Sequence, residues 1–250
     1  MSLPQTTPQL PADPALAESV LRDVRARGYA IVAPQTLAAL CGVELDAFER
    51  FRNDWNDLPL DTYLRDGGRY RSRRHSCFIA APDGVQQVPH RAHWQSQDYN
   101  ALHGGMQRMF EPIRPDTVSQ PAWTALLQVL GGLCTALSRA QPWYVEAHQF
   151  RIDTSDGIGR PTPEGAHRDG VDFVAVILVG RERIKGGETR VFQADGPDGQ
   201  RFTLTEPWSL LFLDDARVIH ESTPIQPVDE AGHRDTLVVT YRSGGFQSEG

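Results

Sequence analysis

The segment Ala166-His167-Arg168-Asp169-Gly170, together with Arg217-Val218-Ile219-His220, decides the fold and the chemistry of this sequence. His167 and Asp169 stand two residues apart before an apolar run rich in β-branched residues, which predicts a strand over residues 171–179. Residues i and i+2 of an extended segment face the same side, so these two side chains can reach one metal ion. His220 follows 53 residues after His167 in another β-like run and can complete the site from a neighbouring strand.

Two histidines and one carboxylate are the ligands of the 2-His-1-carboxylate face, which leaves three positions open on a ferrous ion. Open positions indicate a catalytic centre, because structural metal sites are usually closed by protein ligands. The sequence therefore predicts that His167, Asp169 and His220 bind a catalytic metal ion.

The composition is that of a soluble globular protein, with 40% hydrophobic residues, five Trp and ten Phe among 250 residues. We expect one domain over residues 13–250, preceded by a flexible segment over residues 1–12. The net charge of −7 gives no reason to expect a nucleic-acid partner, because phosphate binding needs a basic surface.

Cysteine spacing and the N-terminal sequence bear on the cellular compartment. The three cysteines show neither disulfide nor zinc-ribbon spacing. The N-terminus lacks a signal pattern, and we see no apolar run as long as a membrane span. We therefore expect a cytoplasmic protein without a membrane partner, and the sequence does not indicate the oligomeric state.

Helical patterns dominate the first half of the chain and short β patterns the second half. Helices are predicted from Pro14 to Gly28, over much of residues 34–58, and from Pro121 onward. Seven short β runs follow, and they are Tyr144 to Ile152, Phe173 to Val179, Thr189 to Phe192, Phe202 to Leu204, Trp208 to Leu213, Val218 to Thr223 and Thr236 to Tyr241. This pattern predicts an antiparallel sandwich or barrel over residues 141–245, with a helical support and lid region over residues 13–140.

Two stretches are ambiguous in the sequence. The basic run from Arg69 to His75 is either a solvated charged surface or a functional edge, and residues 85–112 show no period. Long loops of this kind often cover a site. On the strand before the metal-binding segment, Gln149 and Arg151 share one face and His148 and Phe150 the other, and we expect Gln149 and Arg151 to face the barrel interior.

Four segments carry a resemblance to a known family. They are Glu164 to Phe173, Lys185 to Thr189, Leu213-Asp214-Asp215 leading to His220, and Arg234 to Tyr241. In this order the sequence resembles the iron(II)- and 2-oxoglutarate-dependent dioxygenases, and more narrowly the bacterial branch of free amino-acid hydroxylases such as isoleucine dioxygenase. The resemblance implies a β-rich α+β fold: a double-stranded β-helix, the cupin-like jelly-roll barrel, with N-terminal and supporting helices.

The resemblance also implies cofactors and their binding residues. Fe(II) would be bound by the two histidines and Asp169, and 2-oxoglutarate would chelate the iron while its distal carboxylate pairs with Arg234, 14 residues after His220. A guanidinium suits that task because its fork can bind a carboxylate bidentately. Thr236 and Gln149 are further candidate contacts to 2-oxoglutarate, and Arg242 is the rival anchor.

The implied reaction consumes O₂ and 2-oxoglutarate, releases succinate and CO₂, and hydroxylates a small molecule. A free L-amino acid or a derivative is the expected substrate. Such a substrate needs a cation for its carboxylate, which Arg151 or Arg71 could supply, and an anion for its ammonium group, which Asp172 or Glu164 could supply.

Two alternatives stay open at the level of sequence. One is a zinc- or manganese-dependent cupin-type hydrolase or isomerase, since two histidines and an aspartate also suit zinc with a bound water. The other is a non-catalytic jelly-roll module that binds metal or 2-oxoglutarate. Release of succinate that depends on Fe(II) and O₂ separates the dioxygenase from both.

Overall fold

A computed structural model describes residues 13–100 and 102–248. The segment expected to be flexible, residues 1–12, lies outside the described residues. The helices are α1 (Pro14–Arg27), α2 (Pro34–Cys41), α3 (Asp46–Glu49), α4 (Pro115–Val118) and α5 (Pro121–Ser138), with a 3-10 helix at Arg52–Asp57. The strands are β1 (Tyr29–Val32), β2 (Arg71–Ala81), β3 (Gly84–Gln87), β4 (Trp143–Asp153), β5 (Phe173–Glu182), β6 (Ile184–Gly186), β7 (Thr189–Gln193), β8 (Gly199–Phe202), β9 (Leu210–Asp214), β10 (Val218–Ser222), β11 (Ile225–Pro227) and β12 (His233–Arg242).

The predicted helix ends are confirmed for α1. The Asp13 side chain accepts the backbone N–H groups of Ala15 and Leu16, and Gly28 ends the helix in the left-handed conformation with φ of 80°. The helical region expected over residues 34–58 is broken into three short pieces, because Gly42 takes a left-handed φ of 65° and ends α2.

A seven-stranded antiparallel sheet in the order β1-β9-β5-β12-β4-β2-β3 forms the larger layer. Strands β1, β2 and β3 come from residues 13–140, the expected helical support and lid region, although the pattern from Tyr29 to Val32 also predicts a short strand. The smaller layer consists of a three-stranded sheet, β10-β7-β8, and a two-stranded sheet, β11-β6. Isolated bridges from His167 to His220 and from Gly159 to Ile225 extend these two small sheets.

Side-chain alternation separates the two faces of the large sheet. On β5 and β9, Val174, Leu178 and Leu211 point inward and pack with Val191 and Val218 of the small sheet. The two layers therefore close into the predicted double-stranded β-helix, and the β-rich jelly-roll fold is confirmed.

The opposite face of the large sheet is covered by helices. Residues of β4, β5 and β12 with odd numbers form one hydrophobic core with α1, α2 and α5. By length and hydropathy α5 could cross a membrane, but Trp123, Leu126, Leu127 and Leu130 are buried in this core. We therefore interpret α5 as a core helix that fixes the sheet from outside and leaves the inner face free for a site.

Candidate active site

The three predicted metal ligands meet at one point of the barrel. The ligand atoms of His167, Asp169 and His220 all lie within 4.8 Å of one another. His220 Nε2 is 3.2 Å from Asp169 Oδ2, and His167 Nε2 is 3.8 Å from Asp169 Oδ1. This donor set and spacing fit a divalent cation with open positions toward the cavity.

Backbone pairing places the two histidines beside each other. His167 and His220 donate their N–H groups to each other's carbonyl oxygens, both at 3.0 Å. His167 Nδ1 lies 2.9 Å from the carbonyl oxygen of Gly165. With Nδ1–H as the donor, the lone pair of Nε2 is left to face Asp169, which is the tautomer that a metal requires.

Asp169 lies in a loop, whereas we had expected it on an extended segment that leads into a strand. The Asp215 carboxylate accepts the backbone N–H groups of Asp169, Gly170 and Val171 at 2.9, 2.8 and 3.1 Å. Gly170 has a φ of 75°, which turns the chain toward β5. Burial by itself would raise the pKa of Asp169, but the hydrogen bond from His220 and the interaction with His167 lower it below its usual value, so the carboxylate is ionised.

Arg234 is a buried guanidinium that forms no ion pair with a carboxylate of the described residues. It lies on the inner face of β12, lines the cavity, and its Nη2 has no hydrogen-bond partner among the described residues. Burial, with a smaller contribution from Arg181, lowers its pKa to about 10, so it stays protonated at neutral pH. A buried unpaired charge is costly, so an anion that enters the cavity is its natural partner. The distal carboxylate of 2-oxoglutarate fits this requirement.

The other candidate contacts to 2-oxoglutarate fall in different places. Thr236 lines the cavity on the same face of β12 as Arg234. Arg242 also lines the cavity, but its Nη1 donates to the carbonyl oxygen of Gly245 at 2.6 Å. Arg242 therefore has a structural partner, whereas Nη2 of Arg234 is bonded to none of the described residues.

The expectation that Gln149 and Arg151 face the barrel interior was wrong. The cavity is lined by the alternate residues of β4, Tyr144, Glu146, His148, Phe150 and Ile152. Gln149 is fully buried on the helix-covered face, and its amide has no hydrogen-bond partner among the described residues. Arg151 forms a bidentate ion pair with Asp235, with N–O distances of 2.8 and 2.6 Å. The physical reason is that Trp143, Val145 and Ala147 share the face of Gln149 and belong to the core under the helices.

Two of the three remaining substrate candidates lie at the cavity. Arg71 and Glu164 line the cavity. Asp172 does not line it, and the assignment of Asp172 to the substrate was wrong, because its carboxylate accepts the backbone N–H and the hydroxyl of Ser243. Arg71 is paired with Asp61, whose carboxylate oxygen lies 2.7 Å from Nη2.

The cavity has an empty volume of about 1070 Å³, including the space at its mouth. Part of its wall comes from the unpatterned stretch after β3, where His93 and Arg108 exchange backbone hydrogen bonds at 3.0 and 2.9 Å. This pairing brings Gln95, Asn100 and Arg108 to the cavity. Gln95 joins Arg108 to the metal centre, since its Oε1 accepts from Arg108 at 3.1 Å and its Nε2 donates to Asp169 at 3.3 Å.

Sequence reasoning missed the polar cluster on the wall of this cavity. Its members are His75, His93, Glu146 and His148, all four buried and with ligand atoms within 4.8 Å of one another. The signal was present on β4, where Tyr144, Glu146, His148 and Phe150 alternate with the apolar residues that must face the helices.

A family model and a similar solved structure place the chain among known proteins. The family model described as 2OG-Fe dioxygenase matches residues 52–240. The crystal structure of a bsmA homolog from Methylobium petroleophilum PM1 is similar, with a TM-score of 0.90 and 54% identity over 94% of this chain and 96% of that chain. No curated protein matches the sequence significantly.

Two solved structures of lower identity support the fold alone. The crystal structure of IDO from Bacillus thuringiensis has a TM-score of 0.72 and 17% identity over 92% of this chain and 96% of that chain. The Fe(II)/(alpha)ketoglutarate-dependent dioxygenase TqaL has a TM-score of 0.72 and 18% identity over 94% of this chain and 91% of that chain.

Proposed function

The chain belongs to the 2OG-Fe dioxygenase family, and from this premise we propose that it hydroxylates a free L-amino acid or a derivative of one. The general reaction is that of a 2-oxoglutarate-dependent oxygenase, which uses Fe(II), 2-oxoglutarate and O₂. The substrate class is our proposal, and it rests on the charges and the size of the cavity next to the metal ligands.

Different residues of this chain would bind the iron and 2-oxoglutarate. His167, Asp169 and His220 would hold the iron, and Arg234 with Thr236 would hold the distal carboxylate of 2-oxoglutarate. When bound, the iron and 2-oxoglutarate supply O₂ activation coupled to release of succinate and CO₂. The protein would orient the iron and 2-oxoglutarate beside each other in the cavity.

The proposed substrate class rests on two buried arginines in the cavity wall. Arg108, on the cavity wall, is only 2% exposed and its Nε has no hydrogen-bond partner among the described residues. Arg73 is 3% exposed on the same wall, and its nearest carboxylate oxygen, on Asp61, is 3.8 Å away. Two buried guanidinium groups so poorly neutralised favour a ligand with its own carboxylate, in addition to the one that pairs with Arg234.

Size favours a small free molecule. The empty volume of about 1070 Å³ includes open space at the mouth, and the cavity must also take 2-oxoglutarate, so little enclosed space is left for the substrate. Val176 and Val238 line the cavity beside the polar groups and give an amino-acid side chain an apolar surface. A zinc or manganese hydrolase would leave Arg234 without a carboxylate to bind. The match to the 2OG-Fe dioxygenase family also favours an oxygenase over a module without turnover.

The proposal is tested by measuring succinate release with each proteinogenic L-amino acid in turn, in the presence of Fe(II), 2-oxoglutarate and O₂. We expect at least one amino acid to raise succinate release above the uncoupled rate and to gain the mass of one oxygen atom. The matched control is His167→Ala, which should show neither. If no amino acid exceeds the uncoupled rate of an iron-loaded protein, the proposed substrate class is wrong.

The three cysteines, Cys41, Cys77 and Cys134, are all buried and free. We propose on this basis that the protein works in the reducing cytoplasm, as the cysteine spacing predicted.

A further inference from the structure

Glu146 is the centre of a buried polar cluster that the metal site does not use. His93 Nδ1 lies 2.5 Å and His75 Nε2 lies 3.1 Å from its Oε2 atom. His148 Nε2 is further away, at 3.7 Å from the same oxygen. Three elements, β2, β4 and the loop after β3, thus converge on one carboxylate oxygen.

The hydrogen-bond directions leave the second oxygen of Glu146 free. His75 and His93 donate their N–H groups to Oε2, and no hydrogen bond or ion pair in the described part of the chain reaches Oε1. Glu146 also lines the cavity. The carboxylate is therefore fixed in orientation by two imidazoles while it offers one oxygen to a ligand.

The charge of Glu146 is not cancelled by its imidazole partners. Burial lowers the pKa of His93 to about 4 and also lowers the pKa values of His75 and His148, so all three rings are neutral at pH 7. Burial alone would raise the pKa of Glu146, but the interactions with His93 and His75 hold it below its usual value. Arg73 and Arg108 also interact electrostatically with Glu146, but no hydrogen bond or ion pair among the described residues joins either guanidinium to it. A cation that enters the cavity and contacts Oε1 directly would therefore stabilise this buried anion.

A second metal ion does not fit the four residues of the cluster. Arg73 Nη2 lies 2.7 Å from His148 Nδ1, and a guanidinium only donates, so the proton of this neutral ring is on Nε2 and blocks it as a ligand. The rings of His75 and His148 are stacked, with centroids 4.6 Å apart and planes 19° apart. A metal ion lies in the plane of each imidazole that binds it, and two stacked rings direct their lone pairs side by side and not at one point.

We propose that Glu146, oriented by His75 and His93, binds the ammonium group of the substrate, and that Arg73 and Arg108 bind its carboxylate. The cavity is then selective for α-amino acids in which both groups are free. This inference rests on the proposed function and names the residues that set its substrate class.

The position of Arg108 supports this arrangement. Arg108 is bonded through Gln95 to the metal ligand Asp169, and its backbone is paired with that of His93, which holds Glu146. The two recognition groups therefore lie on one connected wall beside the metal centre. An α-amino acid bound by both ends would direct its side chain away from this wall, along the apolar surface of the cavity.

The test compares wild type with Glu146→Gln, which keeps the shape of the side chain and removes its charge. The probes are the L-amino acid with the highest succinate release in the screen above and the 2-hydroxy acid of the same carbon skeleton, in which a hydroxyl replaces the ammonium group. Glu111→Gln is the matched control, because its carboxylate pairs with Arg74 outside the cavity and is largely exposed. Formation of the Fe(II)–2-oxoglutarate absorption band checks that each variant is folded and loaded.

We expect wild type and Glu111→Gln to prefer the amino acid over the hydroxy acid, and Glu146→Gln to reduce that preference about 10- to 100-fold in kcat/KM, as expected for a lost charge-assisted hydrogen bond. An unchanged preference in a Glu146→Gln protein that forms the band would overturn the inference and leave the proposed function intact. So would a second equivalent of bound metal that Glu146→Gln loses. A screen in which no amino acid is turned over would overturn both.

Should Glu146→Gln fail to form the band, the wild-type protein and Glu146→Asp decide the matter. Equal kcat/KM values for the amino acid and the hydroxy acid would overturn the assignment, because a site with an ammonium-binding carboxylate must distinguish them. A preference for the amino acid that disappears in Glu146→Asp, where the charge is kept but the carboxylate is withdrawn by one methylene, would support it.

Discussion

His167 and His220 are paired residue to residue, and each accepts the backbone N–H of the other at 3.0 Å. His220 belongs to β10 of the small sheet, whereas His167 lies in the loop before β5 of the large sheet. The two histidines are therefore brought together by the closure of the barrel and not by local sequence. The metal site and the two-layer fold form as one unit.

Asp215 holds the third ligand in place, and its replacement should weaken metal binding. In Asp215→Asn, one oxygen that accepts backbone N–H groups becomes an amide donor that faces them. We expect the affinity for Fe(II) to fall about 10- to 100-fold, the usual effect of losing a group that orients a ligand. Anaerobic Fe(II) titration measures this, and Asp214→Asn, a change in the neighbouring carboxylate, should leave the affinity unchanged. Equal affinities in the two variants would contradict the role of Asp215.

Arg234 should increase the affinity for 2-oxoglutarate and lower the stability of the apo-protein. Arg234→Met removes a buried charge that pairs with no carboxylate in the described part of the chain, so we expect the Tm of the apo-protein to stay the same or rise. The KM for 2-oxoglutarate should increase at least about 100-fold, since a charged bidentate partner is lost. A fall in Tm without a change in KM would show that Arg234 has only a structural role.

Arg242→Lys distinguishes the two candidate anchors. The guanidinium of Arg242 is bonded to the carbonyl oxygen of Gly245, and we therefore expect this substitution to change the KM for 2-oxoglutarate less than about threefold, well under 1 kcal/mol. Steady-state kinetics with varied 2-oxoglutarate measures the effect. If Arg242→Lys raises the KM more than Arg234→Lys does, Arg242 is the anchor.

Gln149 offers a direct check on the orientation of β4. Its fully buried amide has no hydrogen-bond partner among the described residues, and an unsatisfied buried polar group costs about 1–3 kcal/mol. Gln149→Met, which has a similar volume and no polar requirement, should raise the free energy of unfolding by about 1 kcal/mol or more. Denaturant unfolding measures the change, and the KM for 2-oxoglutarate should stay at its wild-type value. A raised KM would show that the Gln149 side chain faces the cavity and contacts 2-oxoglutarate.

The metal ligands and the fold class were predictable from sequence for physical reasons. Only a few residue types bind metal ions, so His167, Asp169 and His220 could be recognised as candidate ligands from the sequence before their positions were known. The alternation of short strands likewise predicts an antiparallel barrel without further information. What the pattern could not supply was the loop geometry of Asp169, which depends on three hydrogen bonds to Asp215 from a distant part of the chain.

The inner face of β4 was predicted wrongly because alternation alone does not say which face is covered by helices. The apolar residues Val145 and Ala147 decide it once α5 is seen to pack on their side. The loop after β3 was unpredictable for another reason. Its shape is fixed by the pairing of His93 with Arg108, which leaves no periodic pattern in the sequence.

The central claim is that the two histidines and Asp169 bind iron and that 2-oxoglutarate binds beside it, and anaerobic visible titration tests this most directly. Purified apo-protein is titrated with Fe(II) and then with 2-oxoglutarate, in wild type and in His167→Ala. We expect an absorption band in the wild type that requires both additions and is absent from His167→Ala. A wild-type protein that is fully loaded with iron and shows no band on addition of 2-oxoglutarate would contradict the account.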